Sequence, residues 1–262
     1  MLDLSELDKI PEYQRSLEGQ LFHSLRLQAA LQVSVPDDLR EKVEIQLEAL
    51  FSTADEQIDG SRKFFRARIH EYDQIGAFEK DKMGAPPESK ASLGRVQLAG
   101  QSTLYTAIKA ETAIAEVRPS VGSQVSVAEF SVQQGCLLRV LNLTRYEGLL
   151  DKGPDGFTQQ ITKIHKAMSF SEREFSRQAH PNDPAKYLDT IYITQLIREK
   201  GFDGIAYRSL LHKGGVNYAF FSPDSLECVS DPVVWTVKSV EYKSEPVNKE
   251  YRSHHFSASS GS

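Results

Sequence analysis

The sequence predicts an α+β fold: a mixed β core with flanking helices, preceded by a small helical segment. Apolar residues in the first sixty positions recur at helical spacing. From Lys63 onward, short runs rich in β-branched and aromatic residues alternate with a few helical stretches. The composition, 40% hydrophobic and 26% charged over 262 residues, is that of an ordinary globular chain. No apolar run approaches the ~20 residues of a membrane-spanning helix, and the acidic start Met1-Leu2-Asp3-Leu4-Ser5-Glu6 lacks a secretory pattern. These features lead us to expect a cytoplasmic protein.

Residues 14–32 place Leu17, Leu21, Leu25 and Gln28 on one helical face. Pro36-Asp37-Asp38 opens a second helix, whose stripe is Leu39, Val43, Leu47, Leu50 and Phe51. Such a hairpin cannot bury its own apolar face, so it packs on the rest of the chain or on a partner. Residues 53–60 read as the connection, giving domain bounds of 1–60 for the helical segment and 61–242 for the α+β part.

The α+β part begins with a strand over residues 64–69, followed by a long Gly-, Pro-, Ser- and Lys-rich loop over 72–100. Leu104-Tyr105-Thr106-Ala107 is a short strand, and Glu111 to Arg118 a helix stopped by Pro119. Residues 124–132 alternate imperfectly and suggest a bulged strand, with a further strand over 137–143. Helices follow over 157–170 and around Leu188, Ile191, Tyr192 and Leu196, the latter closed by Gly201. Residues 205–207, 218–221 and 233–242 read as strands, and 243–262 as a disordered polar tail.

Net charge is −5 but unevenly spread. Residues 1–60 hold thirteen acids against five bases, a net −8, and the remainder is +3. A mildly basic α+β part suits an anionic small molecule and argues against a nucleic-acid footprint. Cys136 and Cys228 each lie in an apolar stretch and read as small core residues of a reducing compartment. No metal-ligand spacing is present.

The chemistry-bearing residues come in a definite order. Phe65-Arg66-Ala67-Arg68 and Gly94-Arg95 precede Tyr105 and Glu116. Gly204-Ile205-Ala206-Tyr207-Arg208-Ser209 and Gly214-Gly215-Val216-Asn217 follow far downstream. This ordered set resembles the RES domain family, over roughly residues 62–230. The resemblance implies an antiparallel-rich core like that of ADP-ribosyltransferase toxins, and an enzyme that degrades NAD by hydrolysis or phosphorolysis. It implies NAD as substrate with no further cofactor, inorganic phosphate as a possible acceptor, and a toxin neutralised by an antitoxin protein. Val96-Gln97 depart from the aromatic residue and asparagine that family members often carry after the glycine-arginine pair. Arg15 and His23 are too far apart for the ribonuclease pair found in some related helical extensions.

Under that resemblance Glu116 is the catalytic carboxylate, with Arg66, Tyr105 and Ser209 beside it. Arg95, Arg68 and Asn217 are substrate-binding candidates. The chemistry fits: nicotinamide leaves a pyridinium as a neutral molecule, so the step needs stabilisation of an oxocarbenium-like ribose rather than a strong acid. Guanidinium groups bind phosphate oxygens bidentately, and Tyr105 offers a flat face and a hydroxyl. Arg66 and Arg68 alternate onto one strand face, so the sequence does not separate them. Each candidate also has a plain structural reading, as helix-end acid, ion-pair cation, strand tyrosine, turn serine or loop asparagine. His212 and Tyr207 read as structural. Transfer of ADP-ribose to a macromolecule, or binding of NAD or a partner without turnover, remain alternatives at this level.

Overall fold

Nine short strands form one sheet among the described residues, which in this computed structural model are 51, 54–91, 94, 96–97, 100–145 and 188–241. The expected helices at 14–32, 36–50 and 157–170, the tail at 243–262 and Arg95 lie outside these residues. The strands are β1 (Asp55–Ile58), β2 (Phe64–Ile69), β3 (Leu104–Ala107), β4 (Gln124–Val132) and β5 (Leu138–Asn142). They continue with β6 (Gly204–Arg208), β7 (Val216–Phe220), β8 (Leu226–Cys228) and β9 (Val233–Thr236). The helices α1 (Ala110–Glu116) and α2 (Leu188–Glu199) accompany them. The sheet order is β1-β5-β6-β7-β3-β2-β4-β8, with β9 also on β4. Only the β5–β6 pairing is parallel; the sheet is mixed, as the sequence predicts.

Both faces of the sheet are covered. On one, Phe64, Leu104, Phe130, Tyr218 and Phe220 pack with Phe78 and Met83. The Phe64 ring lies 4.9 Å from Tyr218 and 5.0 Å from Phe220. On the other, Ala113 of α1 covers Ala67, Ala107, Val125 and Val127, and Ile197 of α2 packs with Leu141, Ile205 and Ala219. Burying a Phe-sized side chain stabilises by about 1.5–3 kcal/mol, against about 1 kcal/mol for a typical hydrogen bond. A one-residue slip of β7 would turn Tyr218 and Phe220 to the wrong face, so the aromatic layer fixes the register.

Two-sided burial corrects the expected bulge in β4. Phe64 to Ile69 pair with Phe130 to Val125 in an unbroken ladder. The alternation is blurred because Ser126 and Ala128 are buried on the face opposite Val125 and Val127. Residues 53–60 are likewise more than a connection, since β1 pairs residue by residue with β5. Phe51, the described end of the second apolar stripe, is buried 5.5 Å from the Phe202 ring. The 72–100 loop is anchored by Phe78 and Met83 and contains two short 3₁₀ turns, Lys80–Met83 and Glu88–Lys90. Cys136 is exposed, contrary to expectation, because it closes the Gln133–Cys136 turn between β4 and β5. Cys228 is half-buried. β9 stops at Thr236, short of the expected 242. α2 closes at Gly201 (φ 77°), as read from the sequence.

One buried charge holds the β1 end of the sheet. Glu56, 3% exposed, accepts from Arg62 Nη1 at 2.8 Å and Arg145 Nη2 at 2.9 Å through Oε1. Its Oε2 accepts from Asn142 at 2.7 Å and the Tyr218 hydroxyl at 3.2 Å. Burial alone would raise the Glu56 carboxyl; hydrogen bonds from Arg62 and Asn142, and the Arg62 and Arg145 charges, outweigh it and hold it below its ordinary value. Burial and the Glu56 charge push the Tyr218 phenol well up, so it stays neutral.

A carboxyl lowered by folding stabilises above its unfolded value and loses that contribution as pH falls through the folded one. Glu56→Gln should therefore cost roughly 2–3 kcal/mol in urea unfolding at pH 7. That is below the usual cost of breaking a buried pair, because Arg62 and Arg145 remain partly exposed. The gap between wild type and variant should begin to shrink as pH falls below the ordinary carboxylate value of about 4.5 and close only below the lowered folded value. An equal gap at pH 4 and pH 7 would contradict this role.

Candidate active site

The site forms where the sheet opens. On its β7 side, β3 pairs along its full length, Leu104 with Phe220 through Ala107 with Asn217. On its β2 side the register holds only Phe65 with Ala107. Beyond that pair the strands part, and Arg66 bridges the gap, its Nη1 donating to the Tyr105 carbonyl at 3.1 Å. A cavity of about 380 Å³ lies over the parting, lined by Arg66, Tyr105, Glu116, Arg118, Tyr207 and Asn217 among others. That is at the lower end of small-molecule sites.

Glu116 ends α1, and three separate stretches of chain meet at its carboxylate. Ser209 Oγ donates to Glu116 Oε1 at 2.6 Å, and Asn217 Nδ2 donates to the same oxygen at 2.8 Å. The carboxylate can only accept, which fixes the Asn217 amide orientation. Oε2 bonds to no described group. Ser209 Oγ itself accepts from the backbone N–H groups of Leu211 and His212, both at 3.1 Å. With its proton committed to Glu116, Ser209 is a positioning group and no activated nucleophile.

The 209–215 loop is built for this. The Ser209 N–H donates to the Gly215 carbonyl, closing the loop at 2.9 Å. His212 Nδ1 meets Thr112 Oγ1 at 2.7 Å, tying the loop to α1. Gly215 rests directly on Thr112: a Cβ there would sit 2.6 Å from both Thr112 Cγ2 and Oγ1. Only a glycine allows so close an approach.

Arg66 is half-buried, and its Nε is fully covered without a hydrogen-bond partner. Asn217 Oδ1, also buried, lacks one too. Two such unsatisfied polar atoms among the residues lining one cavity are unusual in a native structure. Burial first, then the Arg68 charge, lowers Arg66 to about 10, with Tyr105 opposing. It therefore stays cationic at neutral pH.

The predicted residues do not all converge. Glu116, Arg66, Tyr105 and Asn217 line the cavity, and Ser209 joins them through Glu116. Arg68 lies elsewhere. It is exposed, donates to the Lys82 carbonyl at 2.9 Å and sits 4.3 Å from the Phe78 ring centroid, pinning the 72–100 loop to β2. Arg95 is outside the described residues, although Gly94 borders the site: a Cβ on it would stand 3.2 Å from the Tyr105 hydroxyl. Tyr207, read as structural from the sequence, and Arg118, not singled out there, both line the cavity. Strand alternation could have found Tyr207, which pairs with Asn217 in register. Among the described residues, no group of His, Cys, Asp and Glu could hold a metal ion, and no helix is long and apolar enough to cross a membrane.

Comparison with known proteins adds a family. The model of the RES domain matches residues 63–243. No curated protein matches the sequence. A chain in the crystal structure of the M. tuberculosis MbcT-MbcA toxin-antitoxin complex is similar at 13% identity and a TM-score of 0.40, covering 73% of this chain and 92% of that one.

The contact between Gly215 and Thr112 makes a direct prediction. Gly215→Ala should cost about 1–3 kcal/mol by overpacking, read as a fall of roughly 3–8 °C in the thermal midpoint. Adding Thr112→Ala should recover part of the loss. An unchanged midpoint for Gly215→Ala would show that the loop yields freely.

Proposed function

Since this chain belongs to the RES domain family, we propose that it cleaves the bond between nicotinamide and ribose in NAD, with phosphate or water as acceptor. The observation that carries this is the Glu116 carboxylate. One of its oxygens is fixed by Ser209 and Asn217, and it shares a cavity with the cationic Arg66 and the Tyr105 ring.

In the proposed step the C1′–N bond breaks and its electron pair leaves with nicotinamide, turning the pyridinium into a neutral base. Positive charge grows on the ribose ring. Glu116 faces that charge from a fixed position, so no reorganisation is needed as it develops. Ser209 and Asn217 keep the carboxylate in place. Tyr105 and Tyr207 supply aromatic surface for the leaving ring. Arg66 balances the dinucleotide's negative charge. The acceptor oxygen then bonds to C1′ and releases a proton, giving ADP-ribose with water or its 1-phosphate with phosphate. The family resemblance also supports a toxin-type role held in check by an antitoxin protein.

The test is incubation of the purified chain with NAD, with and without phosphate, followed by separation of the products. Free nicotinamide with ADP-ribose or its 1-phosphate is expected. Glu116→Gln should lower kcat by about 10²–10³ while leaving the fold intact by circular dichroism. Intact NAD after prolonged incubation with folded protein would overturn the reading, and label retained on macromolecules would redirect it to ADP-ribose transfer.

A further inference from the structure

We propose that Arg118 grips a phosphate of the substrate at the mouth of the cavity, an assignment that rests on the dinucleotide-cleavage reading above. Three observations carry it. Arg118 lines the same cavity as Glu116, two residues further along the chain, and is exposed there. Its guanidinium makes no hydrogen bond or ion pair with any described residue. That holds although Glu116, whose Oε2 bonds to no described group, lies two positions away. Arg66, the other cation of the cavity, spends Nη1 on the Tyr105 carbonyl. Of the two arginines, Arg118 is the one with its whole donor fork available.

The backbone is the third observation. Arg118 has φ of 51°, the only non-glycine with positive φ among the described residues, and it immediately precedes Pro119. Its N–H donates to the Ala115 carbonyl at 3.0 Å, so the turn directly follows the end of α1. Glycine or asparagine would occupy such a turn with less strain. A bulky arginine held there costs free energy, the pattern found at ligand clamps. The spacing also suits the substrate class. Two residues of chain span at most about 7 Å, the scale that separates the anomeric carbon of a ribose from the phosphate on its 5′ oxygen. With C1′ beside Glu116, that phosphate falls within reach of Arg118.

The experiment compares NAD with nicotinamide riboside, which has the same scissile bond and no phosphate. Initial rates are measured for the full chain and for Arg118→Ala, Arg118→Lys and Arg118→Gly, together with inhibition by ADP, which offers phosphates without the reacting sugar. Arg118→Ala should reduce kcat/KM for NAD about ten- to hundredfold, mostly through KM, the scale of one charged hydrogen-bonding partner. The riboside should change by no more than about twofold, and the ADP inhibition constant should rise about tenfold or more. Arg118→Lys should recover part of the loss. Arg118→Gly should match alanine despite its relaxed backbone, and guards against misfolding of the alanine variant. Equal losses on both substrates, or an unchanged ADP inhibition constant, would overturn the assignment alone. A wild-type chain that leaves NAD intact would overturn the function and this assignment together, before any variant is measured.

Discussion

A single carboxylate oxygen organises this protein. Glu116 Oε1 takes its two donors from residues 93 and 101 positions away, so the carboxylate is fixed only if the β3–α1 unit lies against the β6–β7 hairpin. The β3–β7 pairing delivers that arrangement, setting Ala107 opposite Asn217 just ahead of the helix that ends in Glu116. The close seat of Gly215 on Thr112 sets the height of the loop that carries Ser209. Sheet order, loop geometry and helix length all serve one acceptor atom.

Glu56 and Glu116 show two ways of holding a carboxylate. Both oxygens of Glu56 are engaged, and two guanidinium groups neutralise it. Glu116 has one oxygen anchored and forms no ion pair with the arginines that share its cavity. An anchored but unneutralised carboxylate keeps its field for whatever positive charge arises nearby. The first arrangement contributes to folding, and the second is the one the proposed reaction would use.

Much of this was legible in the residues. The strand at 104–107, the helix ending near Pro119 and the Gly201 stop follow from local stereochemistry, and local stereochemistry is what a sequence displays directly. The order of Arg66, Tyr105, Glu116, Ser209 and Asn217 pointed to one family, and all five meet at one cavity, Ser209 through Glu116. What stayed hidden depends on partners distant in the chain. Arg66 and Arg68 look equivalent on an alternating strand; only the gap beside β3 and the Phe78 ring beside β2 separate them. The continuity of β4 was obscured because a strand buried on both faces has no reason to alternate. Arg118 hid as a helix-end residue, since no local signal announces a left-handed backbone at an arginine. Strand β1 escaped notice because its centre is an acidic residue, acceptable there only because Arg62, Arg145, Asn142 and Tyr218 come from elsewhere to meet it.

That strand has a practical consequence. β1 ends at Ile58, whereas the family match begins at residue 63. A fragment trimmed to the family boundary would discard Glu56, strip β5 of its outer neighbour and leave Asn142 and the Tyr218 hydroxyl facing each other with no anion between them. Tyr218 and Asn217 are adjacent on β7, one tethered to Glu56 and the other to Glu116. Damage at the trimmed margin would thus reach Glu116 through a single peptide link. The sheet of this protein therefore extends upstream of the segment that kinship alone would delimit.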